Sequence, residues 1–163
     1  MKITFQLLAF FLLVAGPACS QKKMHKIKVS CIQPYCGGAR PSPEMVADGE
    51  KIRAYVEKTV ILVSEKGKVD SAKTDKDGNI NKKLAIGTYK LFEPWRYYKK
   101  TQSGDAIKDF DKECLKTEWK KHFMEVTITK STLTQKSDSP IILNCSWDAP
   151  CLLESIKVQR RPE

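Results

Sequence analysis

Asp75-Lys76-Asp77-Gly78-Asn79 is the strongest turn signal in the chain, because Asp-Gly readily supplies the positive backbone angles that a tight turn demands. The residues on either side read as strands. Upstream, Thr59-Val60-Ile61-Leu62-Val63 is β-branched and apolar throughout, the composition of a deeply buried strand. Glu65-Lys66-Gly67-Lys68 then makes a hairpin turn, and Val69 to Thr74 returns. Downstream of the Asp-Gly turn come Ile80 to Leu84 and Thr88-Tyr89-Lys90-Leu91-Phe92, an alternating strand that Pro94 stops.

Working outward, Lys26-Ile27-Lys28-Val29-Ser30-Cys31 alternates with period two and opens the domain as a strand with one buried face. Pro34 to Pro43 holds Gly37, Gly38 and Pro41 and is a loop. Glu44 to Glu57 is polar with scattered apolar residues, a short helix or an irregular insertion. After a basic and aromatic loop over Trp95 to Asp105, residues Ile107, Phe110, Cys114, Leu115 and Trp119 fall at helical spacing. Met124, Val126 and Ile128 mark a strand, as do Ile141 to Cys145 and Leu152 to Val158. Short strands, frequent turns and a helix or two predict a mainly β protein: an antiparallel β-sandwich of seven or so strands with a short helical insertion.

The start of the chain has another logic. Met1-Lys2 is a short positive start, Ile3 to Gly16 is apolar apart from Thr4 and Gln6, and Pro17-Ala18-Cys19-Ser20 precedes the basic Gln21-Lys22-Lys23. That is the three-part order of a secretory signal over residues 1–20, too short for a spanning helix of about 20 apolar residues. Two cleavage sites compete. A cut before Cys19 leaves a cysteine able to carry lipid, and so an anchor to the membrane; a cut after Ser20 satisfies the small-x-small rule through Ala18 and Ser20. Residues 21–163 then form a single exported domain, periplasmic or on the outer membrane as a lipoprotein, or else secreted. It is expected to be a monomer.

Either cut leaves Cys31, Cys36, Cys114, Cys145 and Cys151 in the folded part. In an oxidising compartment they form at most two bridges and leave one thiol, with the connectivity open. A zinc site on the same residues is disfavoured by Cys-x4-Cys and Cys-x5-Cys spacings looser than the usual ligand pairs. The net charge is +10 at pH 7, but the lysines are scattered, and no basic-aromatic motif points to nucleic acid.

Catalytic patterns are missing. The chain has no His-Glu-x-x-His motif, no Gly-x-Ser-x-Gly elbow and no phosphate-cradling glycine loop. Asp75-x-Asp77-Gly78-Asn79 lacks the later bidentate glutamate of a calcium loop, so the hairpin reading holds there. The two histidines are His25 and His122. A Cys114–His122 pair would lose its thiolate to a disulfide. Trp95, Arg96, Tyr97 and Tyr98 form the one cluster suited to stacking on a ligand, against the alternative that they cover the edge of the core. No cofactor and no metal are expected.

Two resemblances are carried by these residues. Thr74-Asp75-Lys76-Asp77-Gly78-Asn79-Ile80 with Leu84-Ala85-Ile86-Gly87-Thr88-Tyr89-Lys90-Leu91 resembles the T-D-x-x-G turn and following glycine-x-tyrosine of carboxypeptidase-regulatory-like and transthyretin-like (prealbumin-like) domains. That likeness implies a β-sandwich used as an accessory, binding or structural module. The hydroxyisourate hydrolase activity of some transthyretin-like proteins does not carry over, since their histidines and C-terminal Tyr-Arg-Gly-Ser have no counterpart in Val158-Gln159-Arg160-Arg161-Pro162-Glu163. Tyr35-Cys36-Gly37-Gly38-Ala39-Arg40-Pro41, Cys114-Leu115 with Trp119, and Cys145 to Cys151 resemble uncharacterised exported proteins and lipoproteins of Bacteroidetes-type bacteria. This second likeness implies that Cys36, Cys114, Cys145 and Cys151 are the structural disulfide set, with Cys31 as the odd one. The expectation is a non-enzymatic envelope module that binds a protein or glycan partner, with a thiol-dependent hydrolase or redox protein as the alternative.

Overall fold

The computed structural model describes residues 22–38, 40–136 and 140–162; the expected leader over residues 1–20, and Cys19 with it, lies outside them. The described chain is mainly β. Strands β1 (Lys23–Lys28) and β2 (Ser30–Ile32) precede helix α1 (Pro43–Gly49), which Ser42 caps by accepting from the Met45 amide while Pro43 occupies the first turn. Strands β3 (Arg53–Ala54), β4 (Thr59–Ser64), β5 (Val69–Lys73), β6 (Asn79–Leu84) and β7 (Gly87–Phe92) follow. Helix α2 (Pro94–Tyr97), helix α3 (Lys112–Glu118), strands β8 (Met124–Ile128), β9 (Leu133–Lys136) and β10 (Ile141–Ile142), and helix α4 (Glu154–Arg160) complete the order.

Among the described residues there are thus ten strands instead of seven or so, and four short helices instead of one insertion. The largest sheet runs β5-β4-β7-β8-β9, all antiparallel. Its register lines up Leu62, Leu91 and Met124 as one cross-strand row. All three are buried, and such same-face rows are the unit that stabilises a sheet. A second sheet pairs β1 with β6, and a third runs β10-β2-β3. One apolar core draws on all three sheets: Ile27 and Val29, Val60 and Leu62, Ile80, Leu91, Val126 and Ile141 are all part of it.

The Asp-Gly turn differs from its sequence reading. Strand β5 pairs with β4, and β6 pairs with β1, so Asp75 to Gly78 carries the chain from one sheet to another and closes no hairpin. The turn chemistry survives this change of role. One Asp75 carboxylate oxygen accepts from the amides of Asp77 (2.9 Å) and Asn79 (2.8 Å), while Gly78 donates to the Asp75 carbonyl at 3.0 Å with a φ of 75°. Beyond it, Lys82 reaches back from β6 to Asp70 on β5 at 2.8 Å. The carbonyl of Gly78 accepts from the Val29 amide (2.8 Å), and the Val29 carbonyl accepts from the Tyr55 amide (3.1 Å). The crossover is therefore fastened to the junction between β1 and β2.

Leu152 to Val158 is a second correction. The segment is a bend leading into α4, with Leu152 buried and Ile156 packed beside it four residues on. Ile156 and Val158 fit a period of two as well as a helix, and β-branched residues tip the reading toward a strand. Packing against Phe110 and Leu115 decides for the helix. Ile141 to Cys145 is a strand only over its first two residues.

A side chain at position 78 would sit in the left-handed region with its Cβ 2.6 Å from the Val29 carbonyl oxygen. Gly78→Ala is expected to cost about 1–3 kcal/mol, read as a fall in Tm; an unchanged Tm would mean that the crossover bears no load. The Asp75 carboxyl is held below the ordinary carboxylate range, first by the Asn79 amide. A depressed folded-state pKa adds stability above the unfolded value, and that stability disappears as pH falls through the folded value. Asp75→Asn should therefore lower Tm at pH 7 and have a much smaller effect near the acid end of the unfolding profile.

Candidate functional site at the disulfide-stapled end

The last third of the chain contributes little to the large sheet after β9 and is held by other means. Asp111 caps α3, accepting from the Cys114 amide at 2.6 Å. Cys114 bonds Cys151 with a Cα separation of 5.5 Å, and Phe110 pairs with Leu152 as an isolated bridge. The Cys151 carbonyl accepts from the Asp111 amide (2.8 Å), and the Leu153 amide donates to the Asp109 carbonyl (3.0 Å). Phe110, Leu115, Ala149 and Leu152 close a second small core here, with Trp119 and Ile156 against it. Arg160 of α4 then binds Asp105 (2.5 Å) and Asp109 (3.3 Å).

The other disulfide joins Cys36 to Cys145 across 109 residues of sequence, again with Cα atoms 5.5 Å apart. By the loop-entropy argument it restrains the unfolded chain by about 5 kcal/mol and the 37-residue Cys114–Cys151 closure by about 4. Together they bring the loop after β2 and the turn over Ser146–Asp148 to one end of the molecule.

Beside the Cys36–Cys145 bridge lies a cleft of about 580 Å³, lined among others by Ile32, Tyr35, Val46, Glu50, Trp147 and Arg161. The Arg161 guanidinium stands over the Trp147 ring, 5.2 Å from its centroid, a cation–π arrangement that holds the ring face in place. The Trp147 indole N–H is shut off from solvent with no acceptor among the described residues, a cost of about 1–3 kcal/mol. A second groove, which also touches Tyr35 and Cys36, is bounded by Glu44, Met45, Asp48 and Arg53. Met45 and Val46 of α1 are roughly half exposed, and Ile52 beyond it is 71% exposed. Met45 and Val46 of α1 thus stand partly open, one at each groove, beside the bridged loop.

The sequence-predicted cluster is arranged differently. Trp95 is buried. Arg96 lies 4.6 Å from its ring centroid and is bound between Glu93 (3.2 Å) and Glu118 (3.0 Å), with Lys121 also paired to Glu118. Burial pushes the Glu93 carboxyl above its ordinary range, and the Arg96 charge opposes that rise. Tyr97 packs between Phe92 and Tyr98, and Tyr98 is mostly exposed. One of the four, Arg96, therefore belongs to an ion network with Trp95 packed against it, and the four do not share one open face. Sequence reasoning placed no site residue at Trp147 or Val46, and no local pattern around Cys145-Ser146-Trp147 marks that tryptophan as part of a cleft.

The remaining candidates have structural partners. Cys114 is bridged and has no thiolate to offer His122, whose ring stands edge-on to Phe92 at 5.9 Å. Asp75 spends its oxygens on amide donors from Asp77, Asn79 and Asn81, which leaves no open cage for calcium. Cys31 is the free thiol among the described residues. It is buried, lies 3.6 Å from the Ala54 carbonyl oxygen, and burial pushes its pKa up, so the reactive thiolate is disfavoured.

Two disulfides fit an oxidising compartment, and among the described residues no helix is long and apolar enough to cross a membrane. Thiol titration of the disulfide-bonded protein without reductant should find no fast-reacting group in the native state and one after denaturation, Cys31. A native thiol reacting at the rate of free cysteine would contradict its burial. No family model, no curated protein and no solved structure matches this chain.

Proposed function

We propose that this protein is a non-enzymatic module of the cell envelope that binds a protein or glycan partner through its disulfide-stapled end. The three sheets, on this reading, stack as a transthyretin-like sandwich behind that end. The observation that carries it is the Trp147 cleft, bounded by Tyr35 and Val46 and continuous with the exposed apolar residues of α1. Apolar surface gathered around a preformed groove is the mark of a docking site, and bridging the loop removes part of the ordering cost that binding would otherwise incur. The part-exposed Met45 and Val46 at the grooves favour a protein segment over a sugar, because a glycan offers aromatic rings a stacking partner but leaves aliphatic side chains wet.

The expected leader and the two disulfides together support a periplasmic location, or the outer membrane if Cys19 carries lipid. A thiol-dependent hydrolase or redox protein draws no support from Cys31, buried and raised in pKa as it is.

Binding of the exported, tagged protein to an isolated envelope fraction should saturate. Trp147→Ala and the surface change Val46→Asp should each weaken it at least about tenfold, a loss of about 1.4 kcal/mol, while Tyr98→Ala leaves it unchanged. Non-saturating uptake, or equal binding by Val46→Asp, would remove this surface as the docking site.

A further inference from the structure

A third cleft, of about 360 Å³, opens on a different set of elements. Leu84, Ala85, Ile86 and Tyr89 give it an apolar lining, and Ile86 is 52% exposed. The lining is also rigid. The Tyr89 hydroxyl accepts from the Ala85 amide and donates to the Ala85 carbonyl, both at 3.1 Å, which braces the turn between β6 and β7 from within. The neighbouring turn between β4 and β5 is tied to it by the Glu65 amide donating to the Thr88 carbonyl at 3.1 Å. Ser64 closes that turn on itself, accepting from the Lys68 amide at 3.0 Å.

The rim is basic. Lys22, Lys66, Lys68 and Lys83 line the opening, all exposed, and none of them forms an ion pair with a carboxylate among the described residues. Of the two acids at the cleft, Asp70 is already paired with Lys82 at 2.8 Å, leaving Glu65 against four lysines. An apolar lining inside a cationic rim is complementary to a surface that is negative outside and hydrocarbon within. Lys22 is also three residues from Cys19, so a lipid carried there would lie within about 11 Å of this rim.

We propose that this face docks on an anionic phospholipid bilayer, the lysines meeting headgroups and Ile86 entering the interface. The inference rests on the envelope reading above and adds the orientation: the lysine-rimmed end faces the membrane while the disulfide-stapled end carries the partner site.

The test uses the exported full chain carrying Cys19→Ser, so that no lipid contributes, floated with vesicles of phosphatidylcholine alone or mixed with phosphatidylglycerol. Binding is expected to the mixed vesicles and to fall with salt. Exchanging Lys66, Lys68 and Lys83 for Gln together should weaken it on the order of a hundredfold, since each lysine near such a surface contributes about 1 kcal/mol, and Ile86→Asp should weaken it further. Equal binding to both vesicle types, or no loss in the triple variant, overturns the proposal. Equally tight binding of soluble polyglutamate would also overturn it, marking an acidic-protein site. Trp147→Ala should leave vesicle binding intact, so a failure here and a failure of the partner site are told apart.

Discussion

The backbone of Val29 is the constraint from which the arrangement follows. Its amide binds the Gly78 carbonyl and its carbonyl binds the Tyr55 amide, so one residue between β1 and β2 joins the two smaller sheets and the crossover from the large one. With its side chain fully buried in the shared core, Val29 satisfies its amide only if Gly78 passes close by, and its carbonyl through Tyr55. That closeness is what excludes a Cβ at position 78 and selects glycine. Ile27 and Ile80, opposite each other across β1 and β6, are buried as a consequence of the same register.

What the sheets do not hold, the cysteines do. Strand β10 is two residues long, and α4 packs on α3 and its approach through a small separate core. An attachment of that size is marginal by hydrophobic burial alone. The two disulfides and the Arg160 ion pairs with Asp105 and Asp109 supply the remainder. The loop carrying Tyr35 and the turn carrying Trp147 belong to opposite ends of the sequence, and the Cys36–Cys145 bridge is why they can line one cleft.

Strands β4, β7 and β8 were legible at nearly their observed limits, because a run such as Thr59 to Val63 or the alternation through Met124, Val126 and Ile128 has one stable way to be half or wholly buried. Strands β3 and β9 were not, being short and without a period of their own, and β10 keeps only the first two residues of the strand expected over Ile141 to Cys145. The segment Leu152 to Val158 was misread because its apolar spacing satisfies two periods at once. Of the aromatic cluster, composition alone could not show that Glu93 and Glu118 would draw Arg96 inward, since Glu118 lies far along the chain.

The sequence by itself determined the β-rich class, the turn chemistry at Asp75 to Gly78 and the odd number of cysteines after the expected leader, all of which rest on local patterns and simple counting. Only the tertiary structure decided that the Asp-Gly turn joins two sheets, which cysteines meet, and which aromatic residues stay open. Those outcomes depend on contacts between residues tens of positions apart, where the energy of packing and pairing overrides any local preference.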